Sequence, residues 1–205
     1  MNSSKCLFSI LFCSVVSLGS AVLVLGQADA SKAAEPNYEA VLHVLVAGGQ
    51  SGQGEALPAS LGAVSREIRT EFGQANLKLV NVYFGRLSNQ GNLDYKGVSN
   101  AYAPESMPGS PTFLDWRLTG VRNSQNAAGQ PAYQLQGFRF GARVPVRIGN
   151  VQDDKSSSPI NYEAIGFTVD RLSVRENMPT LIGTLTQPRT DGTLFLVLTL
   201  RNADR

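Results

Sequence analysis

The 205 residues carry 18 basic against 16 acidic side chains, a formal balance of +2, with 20 glycines, 10 prolines, 2 cysteines and 1 histidine. Such near-neutrality argues against a dedicated nucleic-acid or anionic-membrane surface, and frequent glycine and proline shift the expected class towards β structure. Both cysteines, Cys6 and Cys13, lie near the start of the chain, so the rest can hold no disulfide and do no thiolate chemistry.

Residues 1–30 read as a signal peptide. Lys5 supplies a short positive region, Leu7 to Leu25 is predominantly apolar, and Ala28-Asp29-Ala30 places small residues where a signal peptidase reads them, with Ser31 as the mature start. An uncleaved anchor is the competing reading, because the apolar run approaches the roughly 20 residues that span a bilayer. Leu11-Phe12 ahead of Cys13 lacks the small residues of a lipidation site. Removing this segment deletes Lys5 and Asp29 and leaves the charge balance unchanged. Residues 31–205 are expected to form one domain, long enough to bury a core without staples.

Tyr38 to Ala47 is the first predicted strand, followed by a glycine-rich run from Gly48 to Gly54. A strand, a glycine loop and a helix is the layout of a phosphate cradle. The Gly-Lys-Ser/Thr element and the dinucleotide fingerprint are both missing, so a surface loop is expected. Pro58 to Phe72 is the one predicted helix. Leu57, Leu61, Val64, Ile68 and Phe72 recur along one stripe, and Gly73 stands at the position of a left-handed cap. Leu77 to Leu87 and Leu93 to Val98 are strands joined at Asn89-Gln90-Gly91-Asn92. Residues 38–98 therefore predict a strand-helix-strand-strand layer whose helix covers the sheet.

Ser99 to Pro111 reads as a long loop, Phe113 to Val121 as a strand containing the single tryptophan, and Arg122 to Pro131 as a second polar loop. Trp116 is expected as a core or rim anchor. Tyr133 to Ile148 alternates, with Phe138, Phe140, Ala142, Val144, Val146 and Ile148 on one face and Arg139, Gly141, Arg143, Pro145 and Arg147 on the other. Pro145 cannot donate to a ladder, which predicts an edge or a bulge there. Gly149 to Pro159 is a polar loop. Ile165 to Val174 alternates with a phase change at Arg171, predicting a local bulge or twist. Leu181 to Thr186 and Thr193 to Arg201 form a hairpin around Gln187-Pro188-Arg189-Thr190-Asp191-Gly192. Its second arm, Leu194-Phe195-Leu196-Val197-Leu198, is apolar on both sides, as in a strand covered on both faces, and is the predicted centre of the core. The fold class read from this is α+β and β-rich, mostly antiparallel sheet with one main amphipathic helix over residues 58–72 and an antiparallel β region over 113–205.

The order Arg143-Val144-Pro145-Val146-Arg147-Ile148-Gly149, then Ile160-Asn161-Tyr162-Glu163-Ala164-Ile165-Gly166-Phe167-Thr168-Val169, then Pro179-Thr180-Leu181-Ile182-Gly183-Thr184-Leu185 resembles part of the secretin signature. Secretins, the outer-membrane rings of bacterial secretion and pilus systems, carry "VP…TG", "Y.DVG..L.V.P" and "..IGGL" in that order. This chain departs from the pattern at Glu163-Ala164-Ile165, where Asp-Val is usual, and at Thr184, where a second glycine is usual. No counterpart of "VP.LGDIP" is read after Leu200, so pore formation is not among the expectations. What the resemblance implies is a piece of the β-sheet wall of a secretin protomer, self-association or contact with an envelope complex, and an association with the outer membrane.

No catalytic, cofactor or metal constellation is legible. His43 is the one histidine, and without cysteine or a second histidine only carboxylates could join it; a satisfied or exposed strand histidine is expected. Asp115, Asp153, Asp154, Glu163 and Asp170 are available for a hydrolase, but nothing in their spacing selects a pair. The row Arg139, Arg143 and Arg147 beside Phe138 and Phe140 is a charged solvated face or a docking surface for an acidic partner. The expected function is that of a non-enzymatic, exported bacterial envelope protein that binds or assembles with protein, periplasmic, outer-membrane-associated or secreted. No nucleic acid and no small molecule is expected as a partner. A carboxylate-dependent hydrolase outside the cytoplasm and a monomeric ligand-binding module are the alternatives.

Overall fold

The computed structural model describes residues 36–48, 55–100, 109–147, 160–187 and 192–204, with the side chain of Arg147 excepted. All belong to the compact unit Glu35–Arg205. The expected loop at Gly149 to Pro159, the leader of residues 1–30 and most of the glycine run lie outside the described residues.

Among the described residues, nine strands build two antiparallel sheets. The first holds β1 (Asn37–Ala47), β2 (Leu77–Ser88), β8 (Thr180–Thr186) and β9 (Thr193–Asn202) in the order β2-β1-β9-β8. The second holds β3 (Asn92–Ser99), β4 (Thr112–Thr119), β5 (Arg122–Gln125), β6 (Pro131–Arg147) and β7 (Ile160–Arg175). Here β6 is the organising strand: β4 and β5 pair with successive stretches of it, and β7 pairs along its whole length. The β-rich α+β class read from the sequence is the architecture observed.

Alternation sorts the side chains into layers. On β1, Tyr38, Ala40, Leu42, Val44 and Val46 face the second sheet and meet Trp116, Leu118, Tyr133, Leu135, Phe138 and Phe140 in one apolar cluster. From the opposite side of β1, Leu45 and Ala47 join Phe195 and Val197 of β9 beneath Leu61, Val64 and Ile68. Those last three belong to a helical segment, a 3-10 turn at Ala59–Leu61 running into α1 (Gly62–Phe72). Gly73 ends α1 at φ 66°, its N–H bonded to the Arg69 carbonyl, a left-handed position that costs a residue with a Cβ about 1–2 kcal/mol. The order of layers is helix, sheet, sheet. Because β9 lies inside the first sheet with a layer on either side, Leu194 to Leu198 are all buried, and the apolar-both-sides reading of that segment holds.

Three expectations need correction. β3 does not share a sheet with β1 and β2 but pairs with β4. The turn residues explain this: the Asn89 N–H goes to the Pro36 carbonyl and the Gln90 N–H to the Val121 carbonyl, so the turn hands the chain from one sheet to the other. Arg122 to Gln125, read as loop, is the strand β5. Its pairing with Pro131 to Gln134 is made by backbone alone, which leaves no hydrophobic alternation to read. Pro145 lies on the central strand β6, with register to β7 unbroken through Pro145↔Tyr162. Pairing with β4 ends at Arg143, so the missing N–H falls where β6 has lost its neighbour on one side. The phase change at Arg171 is seen as a left-handed φ of 59°.

Candidate functional site

Outward-facing residues of the second sheet form rows across β3, β4, β6 and β7, three of which wall a hollow. They run Asp94–Arg117–Arg139–Thr168, then Lys96–Asp115–Gly141–Gly166, then Val98–Phe113–Arg143–Ala164. Alternation dictates this arrangement, because the chain neighbours of the buried Leu114, Trp116 and Leu118 must point the other way. Between the rows lies an open hollow of about 580 Å³, walled by the charged side chains of β3, β4 and β6.

The electrostatics of this face are uneven. Arg117 and Arg139 stand directly opposite one another, a like-charge pairing that costs stability. Arg117 is neutralised by an ion pair with Asp94. Arg139 reaches Asp115 only at 4.0 Å. Arg143 has its guanidinium 5.8 Å from the centre of the Phe113 ring, and no ion pair to it is found among the described residues. Phe113 in turn lies 5.3 Å from Tyr162, so the third row ends in a stacked cation and two rings.

Of the predicted partner residues, the structure places Arg139 and Arg143 on one exposed face beside a hollow. Arg147 belongs to the same strand, but its side chain lies outside the described residues. The contributions of Asp94, Lys96, Asp115 and Arg117 were not legible, because strand register across β3, β4 and β6 is not written in any one segment.

Of the other titratable groups, Asp170 also faces outward, in a further row Asn92–Thr119–Gly137–Asp170, while Glu39 and His43 belong to β1 of the first sheet. Glu39 of β1 is buried between Arg86 and Arg201 on the flanking strands. Its Oε1 accepts from Arg86 Nε at 2.9 Å and its Oε2 from Arg201 Nε at 2.5 Å. These bonds, Arg86's first, hold the Glu39 carboxyl below the usual carboxylate range. His43 is neither satisfied nor exposed, which corrects the expectation. It is half-buried, its Nδ1 has no hydrogen-bond partner among the described residues, and burial lowers its pKa. Among the described residues no group of three or more histidine, cysteine or acidic side chains is placed to hold a metal ion, and no helix is long and apolar enough to cross a membrane.

No family model and no curated protein matches this chain. Solved structures similar to it include the Klebsiella pneumoniae type II secretion system outer membrane complex of PulD, PulS and the PulC HR domain, at 10% identity and a TM-score of 0.32, covering 96% of this chain and 43% of that one. The Salmonella SPI-1 type III secretion injectisome secretin InvG is similar at 10% identity and a TM-score of 0.31, over 95% of this chain and 69% of that one. The type II secretin GspD of enteropathogenic Escherichia coli is similar at 9% identity and a TM-score of 0.32, over 95% and 73%. This chain thus spans less than half of the Klebsiella chain it matches. The likeness is weak and at the level of fold, and a TM-score of that size carries no argument about what the chain does.

Proposed function

We propose that this chain is a non-enzymatic, exported protein of a bacterial envelope that works by binding or assembly, with the outer face of the second sheet as its contact surface. One observation carries the reading: Arg139 and Arg143 stand exposed beside the hollow, the first opposite Arg117 and only loosely neutralised, the second with no ion pair among the described residues. The juxtaposition of Arg117 and Arg139 costs the folded chain stability, whereas it suits the capture of an anionic partner. The leader-like segment of residues 1–30 supports export. The motif resemblance to secretins supports the envelope as the place and protein as the partner.

The test is the native mass and location of the protein in fractionated cells. A complex with another protein, or an assembly of copies, recovered with the envelope supports the reading. A soluble monomer bound to nothing contradicts it.

A further inference from the structure

Resting on the reading of this face as a partner surface, we propose that the hollow binds an extended acidic peptide with carboxylates four residues apart and a non-acidic residue midway between them. Arg139 and Arg143 project from the same side of β6, with Gly141 between them. At about 3.3 Å per residue their Cα atoms are roughly 13 Å apart. A peptide in the extended conformation laid along β6 repeats its side chains with the same period, so acids at positions i and i+4 meet the two guanidinium groups together. Planar guanidinium groups take carboxylates by paired hydrogen bonds.

The midpoint is set by Asp115. Its Oδ1 lies 2.6 Å from where a Cβ on Gly141 would stand, so its carboxylate leans over the centre of the hollow. Beside it Gly166 raises no side chain. A third acid over that point is repelled, whereas a hydroxyl, amide or ammonium there can donate to Asp115. The charges lining the hollow are Lys96, Arg117, Arg139 and Arg143 against Asp94 and Asp115, an excess of basic groups that selects an acidic ligand.

Two further observations favour a peptide over other anions. Ring stacking, the usual hold on a sugar, is compromised because the Arg143 guanidinium already lies over Phe113, which also packs against Tyr162. The strands beneath the hollow, β4 and β6, are paired on both sides over Phe113 to Thr119 and Gly137 to Arg143. That leaves no cradle of free backbone N–H groups of the kind phosphate uses.

The full chain is titrated by fluorescence anisotropy into labelled peptides with Glu at i and i+4 and Ser at i+2. A permuted peptide has Glu at i and i+2 and Ser at i+4, and an oligogalacturonate serves as the saccharide. The first peptide is expected to bind about 5-fold or more tightly than the permuted one, and R143Q to weaken it about 2- to 5-fold, the range of an exposed ion pair. R139Q/R143Q weakens it roughly 4- to 25-fold if the two act independently, and added salt weakens it further. D115N removes the repulsion at the midpoint and narrows the preference over the permuted peptide. Circular dichroism checks that each variant is folded. Equal binding of the two peptides, indifference to R139Q/R143Q, or a preference unmoved by D115N overturns the proposal. Tighter binding of oligogalacturonate, lost in R139Q/R143Q, overturns the peptide as ligand and leaves the surface standing. Failure of the surface itself shows instead as partner contacts in cells that do not depend on these arginines.

Discussion

Replacing Phe195 by alanine probes the strand on which both halves of the core depend. Phe195 sits on β9 with no exposed surface, beneath α1. Its ring meets Phe72 edge-on at 5.4 Å between centroids. Returning a buried phenylalanine to water loses roughly 2–3 kcal/mol of transfer free energy. The space left between helix and sheet raises the total to about 3–5 kcal/mol. Phe72 is 45% exposed, so F72A loses much less, about 1 kcal/mol. The two rings together should show a coupling of about 0.5–1.5 kcal/mol in a double-mutant cycle, the worth of an edge-to-face pair beyond burial. Urea unfolding of wild type, F72A, F195A and the double variant, followed by circular dichroism, gives all four values. F195A costing under about 1 kcal/mol would mean that β9 is not enclosed and that the order of layers is wrong.

The remaining predictions concern local devices. Glu39 has its pKa lowered by Arg86 and Arg201, so its contribution is present above the pKa of an unfolded glutamate and is lost as pH falls through the folded value. E39Q should therefore be less stable than wild type at neutral pH and converge with it in acid; parallel stability-against-pH curves would refute the assignment. His43 has its pKa lowered by burial, so the folded chain favours neutral imidazole, and stability falls as pH drops below the usual imidazole range. H43Q should remove that part of the slope in thermal melts taken from about pH 8 to pH 5, and a slope left intact would show that His43 is solvated. Gly120 has φ 60°, and a Cβ there would stand 2.4 Å from Gln136. G120A should cost about 1–2 kcal/mol from backbone strain alone, and a neutral result would place this turn differently.

Most strands were legible where burial writes a period into the chain. Phe138 to Val144 alternates because one face of β6 is core and the other is open, although Pro145, read on the open face, is buried, and Leu194 to Leu198 is unbroken because β9 has a layer on each side. The helix announced itself through Leu61, Val64 and Ile68 and through Gly73. What stayed hidden was pairing. β5 is polar because only its backbone is used. The allegiance of β3 to β4 is settled by hydrogen bonds from Asn89 and Gln90 to distant carbonyls. The same limit applied to the candidate site. Arg139 and Arg143 could be read from one strand's alternation, but the carboxylates that neutralise part of the face come from β3 and β4, whose register the sequence does not display.

Contact through the second sheet is tested most directly by photo-crosslinking in the cells that make the protein. A photoreactive residue replaces Thr168, which lies exposed beside Arg139, or, as a control, Glu67 on the exposed side of α1. The account predicts a protein adduct from position 168 that is lost in R139Q/R143Q, and none of comparable yield from position 67. Equal adducts from both positions, or an adduct at 168 that ignores the two arginines, would contradict it.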